Sequence, residues 1–239
     1  MNGLFLGVDD VRHYFAALLE REDYVTDKSG CKMLEMIGAN FIADEESIFG
    51  KPNEKYIERE LKWYESQSRN VHDIPDGPPE IWVNVGDKNG IINSNYGWCI
   101  FSGENHHQYL RVLETLRKSP DSRQAVMIYT RPTMHVDAFD NGRHDFICTN
   151  TVQYVIRDNK LHAIVQMRSN DAWAGYRNDF AWQLTVQYAL ANDLGIEPGF
   201  IVWNAGSLHV YERQFYLVDH FAKTGETHVA KKDYEGKWK

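Results

Sequence analysis

Residues 146–167 constrain this chain most. Two runs of β-forming residues, FICTNTVQYVI (146–156) and LHAIVQM (161–167), flank the short polar turn Arg157-Asp158-Asn159-Lys160, which is the pattern of a β-hairpin. A hairpin sets its strands antiparallel, so the sheet is not the all-parallel kind built from strand–helix–strand crossovers. The flanking segments agree. Val11, Tyr14, Phe15, Leu18 and Leu19 recur at helical spacing behind Asp9 or Asp10 as cap. Cys31 to Ala43 reads as strand, and Ile57, Leu61 and Tyr64 stripe a helix from about Asn53 to Ser66. A further helix starts near Asn105, carries Tyr109, Val112, Leu113 and Leu116, and stops at SPDS. QAVMIYT (124–130) precedes the hairpin. After it, the polar loop RSNDAWAGYRND (168–179) leads into a helix from about Phe180 to Leu194, ended by Gly195. A strand, GFIVWN (199–204), and a helix near Arg213–Lys223 follow. Strands and helices mix without strict alternation, which predicts an α+β fold with a mixed sheet. The two loops at 68–80 and 132–145 read as excursions within a single domain spanning 1–239.

A chain of 239 residues buries enough surface to fold without a disulfide or metal. Its formal charge of −8 argues against duplex DNA or an anionic membrane as a partner, so an anion must be held by a local cluster. Three cysteines, Cys31, Cys99 and Cys148, cannot all pair within one chain. MNGLFLGVDD has no leader pattern, and no apolar run approaches the ~18 residues of a membrane helix. A cytoplasmic protein with reduced thiols is expected. Dinucleotide and P-loop glycine motifs, CxxC and HExxH are all absent, so no metal is expected. Ser207 and His209 share a strand face, yet no nucleophile elbow surrounds the serine.

Four constellations can carry chemistry. Cys148 is either a small buried hydrophobe or a thiolate nucleophile supported by Arg168, which ends the neighbouring strand; Cys31 and Cys99 lack such a partner. Glu60, in YIERELKWY, is either a solvated helix charge or a carboxyl facing aromatics, with a pKa raised into the proton-shuttling range. The loop RSNDAWAGYRND is dense in hydrogen-bonding groups around Gly175. In SLHVY, His209 and Tyr211 share one face and suit a hydroxyl pair, although a half-buried strand is an equal reading.

Taken together, in order and spacing, these segments resemble the thymidylate synthase superfamily over about residues 24–220. ERELKWY is similar to the synthases' ELLWFL and puts the family's catalytic glutamate at Glu60, while NSNYG stands for GPVYG, with its tyrosine at Tyr96. PDSRQ stands for PDSRR, leaving a phosphate arginine at Arg123 and Gln124 in place of the second. ICTNTVQYVI matches PCH…QFYV, with the nucleophile at Cys148 and the glutamine at Gln153. MRSNDAWAGYRND matches QRSxDxxLGxPFN, giving phosphate groups Arg168 and Ser169 and a folate-contacting Asp171. SLHVY stands for THLY, with the sugar pair at His209 and Tyr211; Lys28 joins the phosphate set and Trp82 the folate side. The resemblance implies the family's fold, a single twisted mixed sheet flanked by helices whose face forms a homodimer interface. It also implies that Arg123 reaches the partner subunit's site, and that methylenetetrahydrofolate is the cosubstrate.

The departures matter. Ile147 and Thr149 replace the proline and histidine around the nucleophile, and Asp179 replaces the asparagine that reads the base. Uracil presents a carbonyl and a ring N–H, which an amide matches; cytosine presents an amino donor and a bare ring nitrogen. A carboxylate accepts from that amino group and stabilises positive charge on the ring. An asparagine can flip to match cytosine as well, so polarity alone does not decide. It is the combination of departures that resembles the branch of the superfamily that acts on deoxycytidylate in bacteriophages that modify their cytosine, and that resemblance implies hydroxymethyl transfer in an infected bacterium's cytoplasm. A deoxyuridylate synthase, a deoxyuridylate hydroxymethylase, a non-catalytic nucleotide or folate binder and, more distantly, a carboxylate-pair glycosidase remain as alternatives. The tail YEGKWK lacks the synthases' apolar ending.

Overall fold

The structure, a computed structural model, describes residues 6–238. In chain order the elements are α1 (Val8–Glu20), β1 (Val25–Thr26), β2 (Lys32–Ile42), α2 (Glu54–Ser66), α3 (Glu80–Val85), α4 (Tyr96–Phe101), α5 (Gln108–Lys118) and β3 (Val126–Ile128). There follow α6 (Met134–Asp140), β4 (Thr149–Arg157), β5 (Lys160–Met167), β6 (Asn170–Asp171), α7 (Ala174–Leu194), β7 (Glu197–Tyr211) and α8 (Phe215–Thr224). The architecture is α+β, with seven strands of mixed direction. The chain gathers into two compact units. One holds the described residues up to Pro52, then Met167–Leu184 and those from Phe200 onward; the other holds Asn53–Gln166 and Thr185–Gly199.

In the first unit β2 runs antiparallel between β1 and β7, with Met33 opposite Tyr211 and Phe41 opposite Trp203. β6 joins β7 in parallel, setting Asp171 beside His209. The apolar stripe of α1 (Val11, Phe15, Leu18, Leu19) and that of α8 (Phe215, Val218, Phe221) are buried, and Phe49 packs edge-on against both Phe15 and Phe221. Neither Asp9 nor Asp10 caps α1. Gly7 is the N-cap residue, Asp10 turns back to accept from the Gly7 N–H, and the distant Asp44 accepts from Val8. An acid in the first turn can serve a helix start without standing at the cap itself.

In the second unit the expected hairpin is present as β4 and β5. Asp158 and Asn159 both take the left-handed conformation, at φ 51° and 56°, as a two-residue turn matched to strand twist demands. β3 adds antiparallel to β4, Met127 opposite Val152. The stripe on α2 is rotated from the expected one: Glu60, Trp63 and Tyr64 are buried, and Ile57 and Leu61 are half-buried. The cause is Trp63, whose indole packs against Trp82 at 6.0 Å and donates to the Asn70 carbonyl. Within the loop at 132–145 the chain forms α6, and within that at 68–80 a single 3-10 turn.

Candidate active site

Glu60 is 5% exposed and sits one helical turn after Tyr56 on α2. The Tyr56 hydroxyl donates to Glu60 Oε1 at 2.7 Å and accepts from Trp82 Nε1 at 3.0 Å. Burial pushes the Glu60 carboxyl up to about 7, and hydrogen bonds from Tyr56, Trp82 and Tyr64 pull part of the way back. A carboxyl so placed can take up or release a proton near neutral pH.

Tyr64 also stacks on Tyr96 at 5.2 Å, and Tyr96 meets the edge of Tyr129 at 5.3 Å. Gly97 permits this approach of α4 to α2, because a Cβ there would lie 1.8 Å from the Tyr64 carbonyl oxygen. Asn95 caps α4 by accepting from Trp98 N. The segment before it is bound to the one before Cys148, since Asp145 accepts from the backbone N–H groups of Asn93 and Ser94 and from Ser94 Oγ, each at 2.7 Å. The segments that lead into Tyr96 and Cys148 are thus held by one buried carboxylate. Cys148 itself is half-buried. Cys99 is buried, and although Arg131 and Arg69 act on it, desolvation pushes its thiol up to about 12. Those arginines are basic partners that linear spacing did not reveal. The Gln153 side chain donates to the Arg123 carbonyl at 2.8 Å, so two residues expected at the substrate are brought together, with the Arg123 side chain exposed.

In the other unit Asp171 accepts from Trp173 N at 2.8 Å and starts α7 at Ala174, earlier than the expected Phe180. The polar loop is therefore half helix, since its residues from Ala174 to Asp179 form the first turns of α7. His209 is buried and meets the Tyr211 ring at 4.9 Å, within one continuous strand rather than a separate extended piece. Ser207 Oγ lies 3.4 Å from His209 Nδ1 and donates to Glu35. Desolvation lowers the His209 pKa, opposed by Asp171, and desolvation raises that of Asp171, opposed by the Trp173 amide and by His209. Lys28 is exposed on a turn that Asp27 holds by accepting from Ser29 and Cys31; Arg168 is exposed and Ser169 half-buried. Asn170 donates to Asp179 Oδ2 at 2.8 Å. Three buried polar atoms in this one stretch, Asn170 Oδ1, Arg177 Nε and Asn178 Oδ1, have no partner among the described residues, as atoms prepared for a polar ligand would.

Sequence reasoning passed over Tyr56, Asn170 and Asp145. Tyr56 was legible as an i, i+4 partner of Glu60, whereas the partners of Asp145 lie some fifty positions away and leave no local mark. Among the described residues no group of three or more His, Cys, Asp or Glu side chains could hold a metal ion, and no helix is long and apolar enough to cross a membrane.

The thymidylate synthase family model matches residues 21–232, and the chain belongs to that family. Its relatives include the deoxycytidylate 5-hydroxymethyltransferases of Enterobacteria phages T6 and T4, each 53% identical with 97% of both chains covered. The thymidylate synthase of Francisella philomiragia is 26% identical over 68% of this chain and 63% of its own.

Proposed function

We propose that the chain, acting as one catalytic domain, transfers a one-carbon unit from methylenetetrahydrofolate to the 5-carbon of deoxycytidylate and hydrates it to 5-hydroxymethyldeoxycytidylate. The observation that carries this reading is the nearly full-length identity to phage enzymes named for that reaction, in a chain with Asp179 where the synthases' motif has asparagine. In the reaction the Cys148 thiolate adds to the 6-carbon of the pyrimidine and makes the 5-carbon nucleophilic. That carbon takes the one-carbon unit; loss of its proton and of tetrahydrofolate leaves an exocyclic methylene, water adds there, and the thiolate departs. The proton lost from the ring and the one lost from water balance the two gained by the folate nitrogens, so no oxidant or reductant is needed. Glu60, with a pKa near 7, relays protons and orients the water.

Asp179 accepts from the 4-amino group of the base. Lys28, Arg123, Arg168 and Ser169 hold the 5′-phosphate as a local cation cluster on an acidic protein. His209 and Tyr211 hold the sugar, Gln153 and Tyr96 line the nucleotide side, and Asp171 and Trp82 face the folate. We place the enzyme in the cytoplasm as a homodimer in which Arg123 reaches the partner's site. No nucleic acid is bound directly.

The test is tritium release from the 5-carbon of labelled deoxycytidylate and deoxyuridylate, each with methylenetetrahydrofolate, followed by the mass of the product. Faster folate-dependent release from the cytosine nucleotide, with a hydroxymethyl product, is the expected result. Preference for deoxyuridylate, or a methyl product, would overturn the reading.

A further inference from the structure

Asn170 and Asp179 form a pair that no role above accounts for. Asn170 lies on β6, fixed in register opposite Leu208 of β7, and is 3% exposed. Its Nδ2 donates to Asp179 Oδ2 at 2.8 Å, joining a short strand to the first turns of α7. The bond also settles which way the amide faces. With Nδ2 donating to Asp179, Oδ1 points away from it. That Oδ1 is buried and has no partner among the described residues. Gly175 keeps the approach open, because a Cβ there would lie 3.2 Å from Asn170 Nδ2 and 3.8 Å from Asp179 Oδ2.

We propose that Asn170 is the positioning residue for base selection: it holds Asp179 in the orientation and charge state that accept an amino group, with Gly175 making room for it. This rests on the reading of Asp179 as the group that meets the base. An N–H donated to a carboxylate favours its anion and fixes its rotation. Discrimination thus belongs to a strand–helix pair rather than to one acid.

The experiment compares kcat and KM for deoxycytidylate and deoxyuridylate in wild type, N170L, N170S and G175A. Leucine has nearly the shape of asparagine and no donor, serine keeps a donor, and the added methyl of G175A displaces the amide while leaving it present. The expected result is a loss of tenfold or more in kcat/KM for deoxycytidylate in N170L, with little change for deoxyuridylate, so that the preference contracts. N170S recovers part of the preference, G175A lies between, and the KM for folate stays within about twofold throughout. If wild type itself shows no preference for the cytosine nucleotide, the functional reading fails first. If wild type prefers it and N170L loses turnover on both nucleotides equally, or keeps the full preference, Asn170 is only structural and the inference is overturned. Should N170L not fold, the nucleotide preference of N170S and G175A decides by the same criterion.

Discussion

Tyr56 places its hydroxyl hydrogen on Glu60 Oε1 across 2.7 Å while its oxygen accepts from Trp82. Desolvation and the neighbouring carboxylate hold the Tyr56 phenol far above its usual range, so it stays a donor at any pH the protein experiences. Its bond is the largest influence pulling the Glu60 pKa down against burial. Y56F therefore raises that pKa above 7 and moves the corresponding inflection of the pH–rate profile to higher pH. A profile left where it was would show that Glu60 is not the group titrating.

Replacing Glu60 separates activity from stability. The folded carboxyl binds its proton up to about 7 and the unfolded one only to 4.5, so the native state holds more protons in between, and the stability due to this group is lost as pH rises through 7. Glu60→Gln removes that penalty. The variant should match wild type in urea at pH 4.5 and exceed it by up to about 3 kcal/mol at pH 8. Its turnover should fall by roughly 10²–10⁴-fold. Equal stability at both pH values would mean that the carboxyl is hydrated in solution.

The hairpin and the longer helices α1, α2, α5 and α8 were legible because each rests on local chemistry, Asp158-Asn159 in a two-residue turn and apolar residues at helical spacing, whereas the short helices α3, α4 and α6 left no such pattern. The motif segments were legible as a set through their order. What the sequence hid depends on packing between distant residues. Trp63 rotates the buried face of α2 toward Glu60, Asp145 binds a loop fifty residues away, and Asp171 moves the start of α7 back to Ala174. The expected strand ended at Asn204, yet β7 continues to Tyr211 because β2 pairs with it on both sides of Gly206.

The three thiols should separate in reactivity. Cys99 is 1% exposed with its pKa pushed up to about 12, whereas Cys31 is exposed and Cys148 half-buried. Iodoacetamide at pH 8 should label Cys31 and Cys148 and spare Cys99, since the thiolate is the reacting species. Labelling of Cys148 should abolish tritium release, and deoxycytidylate should protect it. C31S should remain active, and C148A should bind nucleotide without turning it over. Full activity in C148A would remove the covalent step.

Asp171 and His209 offer a separate test, because each opposes the desolvation of the other. Burial lowers the His209 pKa below 6.5, so this residue's contribution to stability is complete above that value and is lost as pH falls below it. Asp171 shifts the other way: its pKa is raised above 3.8, and the stability that depends on its proton is present below 3.8 and lost as pH rises. Asp171→Asn keeps an oxygen to accept from Trp173, so the start of α7 survives, but it removes the negative charge that favours the imidazolium. His209 in this variant should titrate at a still lower pH than in wild type, as followed by its ring proton shifts in NMR, and the variant should lose stability more steeply below pH 6.5. An unchanged or raised titration would mean that Asp171 is already protonated in the folded protein, in which case it acts toward the strand as a neutral hydrogen-bonding group and the charge on this edge of the site comes from elsewhere.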